Sequence, residues 1–299
     1  MGQRRQIAGS RILITGASQG IGRSLAEQAS LRGGKVLAAA RSETLLRELA
    51  EQVRARGGVL ETVLADVTSP EDRQRMADAA VQHFGGLDIL INNAGIGATG
   101  HFADCAADRL RKIMEVNFFG LTETTRVCLP LLRKGNRPAI VNISSIAGKR
   151  ALPARSEYSA SKFAVQGFSE ALRAELSKDG IDVLLICPGL TQTNFSKNML
   201  EQKAKVQLDH MRGMTADQAA AATLRAIERG KNEITLTFKA KLIAFVSRFF
   251  PRLADRIAAR KVRSLFVDEI AARRQQQSGQ PSASTQVPAD KTAQAAPER

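Results

Sequence analysis

The sequence is poor in residues on which several classes of protein depend. Its 299 residues include no tryptophan, one tyrosine and three cysteines. The cysteines are widely spaced and form no CxxC pair, which argues against both a disulfide framework and a zinc site. The three histidines, His83, His101 and His210, stand apart from one another, so we assign no metal.

Long apolar runs are also missing. No uninterrupted apolar stretch approaches the roughly 20 residues that a transmembrane helix needs. The first apolar run begins at Ile12 and breaks at Gly16, so no signal-peptide core fits before it. We therefore expect a protein of a reducing, cytoplasmic compartment.

Acidic residues are too few to balance the basic ones. The chain has 44 Lys and Arg against 29 Asp and Glu, which gives a net charge of +15 and a pI near 10.4. This balance favours polyanionic partners, such as nucleic acid, anionic lipid or an acidic carrier protein, without choosing among them. The sequence has no recognisable nucleic-acid motif or aromatic stacking platform, so we expect no nucleic-acid partner.

Short apolar runs alternate with helical patterns through most of the chain. The runs occupy residues 11–15, 35–40, 59–66, 88–94, 139–145 and 182–188, and helical stretches such as 21–32, 43–56 and 70–84 separate them. The alternation predicts an α/β fold, with a doubly wound, Rossmann-like parallel sheet in a three-layer α/β/α single domain. The nearly continuous apolar runs fit strands that are covered on both faces.

Composition divides the chain into three parts. Residues 8–235 carry the α/β pattern and form the predicted dinucleotide-binding and catalytic domain. Residues 236–274 form a basic, amphipathic C-terminal helical extension. Residues 275–299 have Val287 as their only large apolar residue, which predicts a disordered tail.

A glycine-rich stretch, TGASQGIG, follows the first strand at residues 15–22. Gly16, Gly20 and Gly22 permit a tight turn and a close approach of the backbone to a ligand. The N-terminus of the following helix favours a phosphate at the same place. A tight βα connection is common, but a strand before the turn and a helix after it are the context of a dinucleotide site.

The end of the second predicted strand bears on the choice of cofactor. It reads Ala40-Arg41, and no carboxylate follows until Glu43. An acidic residue here would bind the adenosine ribose and repel a 2′-phosphate, whereas a basic residue favours that phosphate. We therefore predict NADP(H) over NAD(H); the alternative is that Arg41 is a solvated surface charge.

The only tyrosine, Tyr158, stands four residues before Lys162 in the stretch YSASK. In a helix these side chains share one face, with Cβ atoms about 5–6 Å apart. Reduction of a ketone needs a proton donor at the carbonyl oxygen, and the pKa of free tyrosine, about 10, is too high for efficient exchange. We expect Lys162 to lower that pKa by stabilising the phenolate.

Further motifs occur in chain order: Asp66-Val67, NNAG at 92–95, Asn117, Ser145 and PGLTQT at 188–193. With TGASQGIG and YSASK they make residues 8–230 resemble the short-chain dehydrogenase/reductase family. Ser145 stands thirteen residues before Tyr158, which is the spacing of that family. Each residue alone would more often be structural, whereas all of them at matching offsets favour the catalytic interpretation.

The resemblance implies catalytic roles for Asn117, Ser145, Tyr158 and Lys162. Ser145 would orient the substrate oxygen, Lys162 would also hold the nicotinamide ribose, and Asn117 would hold a water that links Lys162 to solvent. The cofactor would contact Gly16, Ser18, Gln19, Gly20, Ile21, Gly22, Arg41, Asp66, Val67, Asn93, Tyr158, Lys162, Pro188, Gly189, Thr191 and Thr193. Asn92 and Asn93 equally suit bracing of neighbouring strands.

The family resemblance places substrate selectivity in the stretch after PGLTQT, here residues 194–214. Its apolar residues among lysines suit either a pocket under a mobile lid or an amphipathic helix pair packed on the core. TADQ at 215–218 has the form of a capping box and predicts the start of a helix.

Residues 239–266 combine an apolar stripe with a basic ridge. The stripe consists of Leu242, Val246, Phe249, Leu253 and Ile257, and the ridge of Arg248, Arg252, Arg256 and Arg260. This pattern is typical of an interfacial helix, which Pro251 should end or kink. The stripe would contact the inner face of a membrane, cover the protein's own core, or meet a partner subunit.

We predict an NADP(H)-dependent oxidoreductase of the short-chain dehydrogenase/reductase type. It would transfer hydride between nicotinamide C4 and a lipophilic ketone or secondary alcohol, with Tyr158 as general acid and base. One alternative is reduction of a 3-oxoacyl group on an acyl carrier protein, whose acidic surface suits a basic enzyme. The other is a non-catalytic NADP-sensing binding protein. The resemblance implies a homodimer or homotetramer.

Overall fold

A seven-stranded parallel sheet forms the centre of the molecule, with strand order β3-β2-β1-β4-β5-β6-β9. The computed structural model describes residues 2–193, 195, 199–203 and 213–267. The strands of the sheet are β1 (Arg11–Thr15), β2 (Lys35–Ala40), β3 (Val59–Leu64), β4 (Ile89–Asn92), β5 (Ala139–Ile143), β6 (Asp182–Cys187) and β9 (Glu233–Thr235). Two short strands, β7 (Thr191–Gln192) and β8 (Met214–Thr215), pair with each other.

The helices alternate with these strands as the sequence predicts. They are α1 (Gly20–Leu31), α2 (Glu43–Ala55), α3 (Pro70–Phe84), α4 (Arg109–Met114), α5 (Gly120–Leu132), α6 (Ser156–Glu175), α7 (Ala216–Glu228), α8 (Phe238–Phe249) and α9 (Pro251–Leu265). The described part of the chain divides into two compact units, with the boundary between Ala258 and Ala259. The predicted tail at 275–299 lies outside the described residues, so the predicted domain limits remain predictions.

Side chains on the two faces of the sheet belong to separate apolar clusters. Ile12 and Ile14 of β1 join the cluster that contains α1, α2 and α7, whereas Leu13 joins the one that contains α3, α5 and α6. Successive strand residues point to opposite faces, so one fully apolar strand can supply both clusters. The predicted three-layer, doubly wound fold is therefore confirmed.

The strand order reverses at the centre of the sheet. The chain runs outward from β1 through β2 to β3, then returns to pair β4 on the other side of β1 and continues outward. Ligands of open α/β sheets bind outside the carboxyl ends of the strands at such a reversal. The fold thus provides a crevice beside the ends of β1 and β4.

Two local expectations about helix ends are also confirmed. Thr215 and Gln218 form a capping box at the start of α7, since each side chain bonds the other residue's backbone N–H. Pro251 separates α8 from α9. A proline has no N–H and fixes φ, so it begins a helix more readily than it continues one.

Four of the five residues in the apolar stripe of the C-terminal helices do not cover the core, and Val246 is half-buried. Leu242, Phe249, Leu253 and Ile257 are 52%, 59%, 49% and 54% exposed. The buried residue of α8 is instead the small Ala240. Packing of these four side chains on the chain's own core was one of the expected alternatives, and it is wrong.

Asp88 joins three neighbouring chain segments at the amino ends of the strands. Its carboxylate accepts hydrogen bonds from the backbone N–H and side chain of Arg11 and from the N–H of Asn136. Burial alone would raise the pKa of Asp88, but these hydrogen bonds outweigh it and hold the pKa below its usual value. The ionised carboxylate therefore stabilises the fold.

We expect Asp88→Asn to lower the free energy of unfolding at pH 7 by about 2 kcal/mol, because it removes charge-assisted hydrogen bonds. The contribution of Asp88 is complete above its unfolded pKa, about 4, and is lost as the pH falls towards its folded pKa. Urea unfolding between pH 3 and 7 should thus show a shallower acid dependence in the variant. Asp78→Asn, at an exposed position of α3, is the control. An unchanged acid slope in Asp88→Asn would contradict this account.

Candidate active site

A cavity of 470 Å³ opens at the carboxyl ends of the central strands. Every predicted site residue lines it except Gly22 and Asn117, which lie behind its wall. The cavity runs from the glycine-rich turn after β1 to the N-terminal part of α6. Residues that are far apart in sequence therefore meet in one elongated site.

The turn between β1 and α1 is built for close backbone contact. Gly16 and Gly20 have φ values of 67° and 56°, the left-handed region that glycine adopts readily. A Cβ at Gly22 would collide with the Gly16 carbonyl oxygen and the Asn93 amide, so Gly22 permits the packing behind the turn. The side chain of Gln19 does not cap α1, and the first turn of α1 has no acidic residue. The donor set fits the phosphates of a dinucleotide.

Arg41 and Asp66 lie at the far end of the cavity, after β2 and β3. The Arg41 side chain is 68% exposed, and its Nη1 is 3.6 Å from Asp66 Oδ2. Asp66 also accepts hydrogen bonds from the backbone N–H and the hydroxyl of Thr68. A cation with this exposure can turn towards an anionic ligand at small cost, because an exposed ion pair contributes little.

The two asparagines of NNAG have different surroundings. Asn92 Nδ2 donates to Asn142 Oδ1 at 2.9 Å and to Thr125 Oγ1 at 3.0 Å, so it braces β4 against β5 and α5. Asn93 Nδ2 donates to the carbonyl oxygens of Thr15 and Gly16 while the residue lines the cavity. The bracing expected as an alternative is present for both residues, and Asn93 also faces the ligand space.

Ser145, Tyr158 and Lys162 converge at the other end of the cavity. Ser145 follows β5, and its side chain lies close enough to the Tyr158 phenol to influence the pKa of that group. Tyr158 and Lys162 share one face of α6, as predicted from their spacing. The Lys162 ammonium lies 5.7 Å from the centroid of the Tyr158 ring and donates to the Ile143 carbonyl oxygen at 3.0 Å.

The protonation of these groups differs from the expectation that Lys162 lowers the pKa of Tyr158. Burial raises the pKa of the phenol, and the opposing influences are the Ser145 side chain and the charge of Arg155. The Lys162 ammonium is held under the ring by Ile143, and burial lowers its own pKa to about 8. The pKa of Tyr158 is therefore raised overall, and the cation that opposes this rise is Arg155 rather than Lys162.

Asn117 lies in a single π-turn, Glu115–Phe119, between α4 and α5. Its side chain accepts from the Ile96 N–H and donates to the Ile96 carbonyl oxygen and to Ser161 Oγ. A Cβ at Gly95 would be 3.2 Å from Asn117 Oδ1 and 3.7 Å from Lys162 Nζ. Asn117 thus joins the strand-end loop to α6 directly behind Lys162.

Several residues of the cavity wall escaped the sequence analysis. Among them are Leu152 and Arg155, which precede Tyr158. The nearness of Leu152 and Arg155 to YSASK in sequence is a signal that could have indicated them. Phe195 belongs to the predicted selectivity segment, and its ring lies against Tyr158 with centroids 5.7 Å apart. Most of the predicted lid at 194–214 lies outside the described residues.

A buried ion cluster ties residues 199–203 to α6. Arg109 of α4 bonds Glu157, the neighbour of Tyr158, at 2.7 Å and Glu201 at 2.9 Å. The backbones of Thr99 and Glu201 are also hydrogen-bonded. The segment beyond the cavity is therefore anchored to the helix that carries the tyrosine.

The topology and the cavity define a Rossmann-type α/β protein with an elongated nucleotide-sized site at the strand reversal. Residues 10–204 match the family model described as short chain dehydrogenase. The chain belongs to the short-chain dehydrogenase/reductase family.

Curated relatives agree with this membership. Dehydrogenase/reductase SDR family member 7B of Rattus norvegicus is 37% identical over 206 residues, which cover 67% of this chain and 63% of the rat protein. The matched region thus spans less than two thirds of that relative. Dehydrogenase/reductase SDR family protein 7-like of Drosophila melanogaster is 35% identical over 267 residues, covering 86% of this chain and 82% of the fly protein.

Two solved structures resemble the chain closely. A short chain dehydrogenase/reductase from Burkholderia phymatum, in complex with NAD, superposes with a TM-score of 0.77 at 27% identity over 83% of this chain and 96% of its own. A short chain dehydrogenase from Burkholderia cenocepacia J2315, in complex with NADP, gives 0.73 at 29% identity over 85% and 99%.

Proposed function

We propose that the protein is an NADP(H)-dependent oxidoreductase that interconverts a ketone and a secondary alcohol. The observation that carries this proposal is the meeting of Ser145, Tyr158 and Lys162 at one end of a cavity whose other end is the glycine-rich turn. A bound nicotinamide cofactor supplies the hydride. The solved relatives with NAD and NADP support a nicotinamide cofactor in this site.

Each side chain around the reaction centre has a different role in the proposed reaction. Ser145 donates a hydrogen bond to the substrate oxygen and orients it, and Tyr158 gives that oxygen its proton. Lys162, with a pKa of about 8, carries a positive charge beside the tyrosine at neutral pH. It would hold the nicotinamide ribose and would pass a proton towards solvent through a water held by Asn117.

Two rival functions predict different behaviour. Reduction of a 3-oxoacyl group on an acyl carrier protein is favoured by the net charge of +15, which suits an acidic carrier. A non-catalytic NADP sensor has no need of the serine, tyrosine and lysine that meet here. An assay of NADPH oxidation separates the three functions. A ketone reductase uses free ketones, a carrier-protein reductase uses 3-oxoacyl carrier protein, and a sensor uses neither.

We expect Tyr158→Phe to lower kcat by about 10²–10⁴-fold, the usual contribution of general acid catalysis. The phenyl ring keeps the packing against Phe195, so NADPH affinity and thermal stability should stay close to those of the wild type. Ketone-dependent NADPH oxidation and NADPH fluorescence titration measure these quantities. Normal turnover in this variant would overturn the proposed role of Tyr158.

We also propose that the cofactor is NADP(H) in preference to NAD(H). Support comes from the end of β2, where Arg41 lines the cavity and is 68% exposed on its side chain. Its Asp66 partner is 3.6 Å away, so a 2′-phosphate competes with a weak ion pair.

In Arg41→Ala the KM for NADPH should rise about 10-fold or more, because a charge-assisted phosphate contact is lost. The KM for NADH should change little, and steady-state assays with both cofactors give the ratio. Arg47→Ala, on the neighbouring helix α2, controls for a general loss of positive charge. If the NADPH to NADH preference stays the same in Arg41→Ala, the assignment fails.

We further propose that the protein docks on an anionic bilayer through an outer apolar face, defined as Phe238, Leu242, Phe245, Phe249, Phe250, Leu253 and Ile257. The first four follow one face of α8 at intervals of three or four residues, and all seven are at least 49% exposed. Among the described residues no helix is long and apolar enough to cross a membrane. The proposal is therefore surface docking.

The charges around this face favour a membrane over a partner subunit. Lys239, Lys241, Arg248, Arg252 and Arg256 are exposed and, within the described part of the chain, pair with no carboxylate. Each such cation near an anionic leaflet contributes about 1 kcal/mol. A second copy of this chain would bring the same unpaired cations against them.

Co-sedimentation should show binding to vesicles with phosphatidylglycerol and weak binding to pure phosphatidylcholine, since both the apolar face and the charges contribute. We expect the double variant Phe245→Glu/Phe249→Glu to lose vesicle binding and keep soluble ketone reductase activity. Val81→Glu alters an apolar residue of α3 that is 47% exposed and serves as the control. Membrane docking would be contradicted if the protein bound neither kind of vesicle. It would also be contradicted if the wild type were a dimer and the double variant a monomer.

A further inference from the structure

Arg155 is a buried cation in the wall of the active-site cavity. It precedes the first turn of α6, three residues before Tyr158, and its relative exposure is 9%. It lines the cavity together with Leu152 and Tyr158. Its charge acts on the Tyr158 phenol, so the guanidinium lies near the proposed reaction centre.

The other buried guanidinium groups of the described residues have carboxylate partners. Arg5 pairs with Asp182, and Arg109 pairs with Glu157 and Glu201. Arg155 has no carboxylate within 4.0 Å and no side-chain hydrogen bond among the residues that the structure describes. A buried charge without a partner is costly, and a ligand anion in the cavity would supply the missing charge.

Burial lowers the pKa of the Arg155 guanidinium, and the nearby Tyr158 has the opposite influence. The group nevertheless remains charged at neutral pH, since arginine is effectively always protonated. A planar guanidinium presents paired N–H donors that match the oxygens of a carboxylate or a phosphate.

The position of Arg155 distinguishes a substrate anion from the phosphates of the cofactor. The glycine-rich turn and the start of α1 provide donors for the pyrophosphate, and Arg41 lies at the end of β2. Arg155 lies instead near Tyr158, at the end of the cavity whose wall also includes Leu152 and Phe195. An anion bound there belongs to the molecule that is reduced or oxidised.

We propose that Arg155 binds a carboxylate or phosphate group of the substrate, so that the enzyme prefers anionic ketones and the corresponding anionic alcohols. This inference rests on the proposed oxidoreductase function and narrows its substrate class. Leu152 and Phe195 contact the apolar part of the same molecule. Arg155 is thus a specificity-determining residue whose partner arrives with the substrate.

Matched substrate pairs test this preference directly. We use a 3-oxo acid against its methyl ester, and a phosphorylated hydroxyketone against its dephosphorylated parent. The wild type should prefer one or both anionic members by about 10–100-fold in kcat/KM, the size of a charge-assisted contact. The pair with the larger ratio identifies the anion.

Substitutions assign the preference to Arg155. In Arg155→Met, both substrates lose the effect of the Arg155 charge on Tyr158, but the ratio of kcat/KM for the anionic ketone to that for the neutral one should fall by about 10–100-fold. Arg155→Lys keeps a charge and should retain part of the preference, which gives a test even where the methionine variant is unstable. Arg126→Met is the control, because Arg126 is exposed and pairs only with Glu123 among the described residues. Equal use of both members by the wild type, or an equal loss for both in the variants, would overturn the proposal.

A binding measurement separates this inference from the proposed function. In the Tyr158→Phe variant saturated with NADPH, the 3-oxo acid or the phosphorylated ketone should quench NADPH fluorescence at lower concentration than its neutral partner. The double variant Tyr158→Phe/Arg155→Lys should need more of the anion. Turnover of neutral ketones without any anion preference refutes the role of Arg155 alone. Anion binding without turnover in the wild type refutes the oxidoreductase function alone.

Discussion

Close packing of α6 against the end of β5 is the constraint on which the active-site arrangement depends. A Cβ at Gly148 would lie 2.7 Å from the Lys162 carbonyl oxygen and 2.8 Å from Ser144 Oγ, so only glycine fits there without a shift. Small buried residues of α6, Ser159 and Ser161, keep the helix near the strand ends. Because the backbones are this close, Ser145 on one element reaches the phenol of Tyr158 on the other.

Sequence periodicity was sufficient for the features that depend on neighbouring residues. Strands such as Arg11–Thr15 and Lys35–Ala40 agree with prediction to the residue, and α3 covers Pro70–Phe84 as predicted. Local signals also identified the break at Pro251 and the cap at Thr215. These features are set by hydrophobic period, proline geometry and side-chain caps, all of which a short window of sequence contains.

Interactions between distant residues were not predictable in the same way. Arg109 meets partners 48 and 92 residues away, and no local pattern indicates either. The amphipathic pattern of α8 predicted an apolar face but not its direction, and the small buried Ala240 is what turns that face outward. The direction of the Tyr158 pKa shift likewise depends on burial and on Arg155, whereas the spacing to Lys162 alone predicted the opposite direction.

The unpaired Arg155 in the cavity and the outer apolar face together restrict the kind of substrate that we expect. A Cβ at Gly189, in the cavity wall, would lie 2.6 Å from Thr237 Oγ1 and 3.4 Å from the Ala240 Cβ, so α8 begins directly behind that wall. A neutral lipid entering from a bilayer would leave Arg155 without a counter-charge, and a small anion from solution would have no use for the apolar face. If both proposals hold, an amphiphile would satisfy both, with an anionic group at Arg155, the carbonyl at Tyr158 and an apolar tail towards α8. The reacting carbon is then expected close to the charged end of the substrate rather than within its tail.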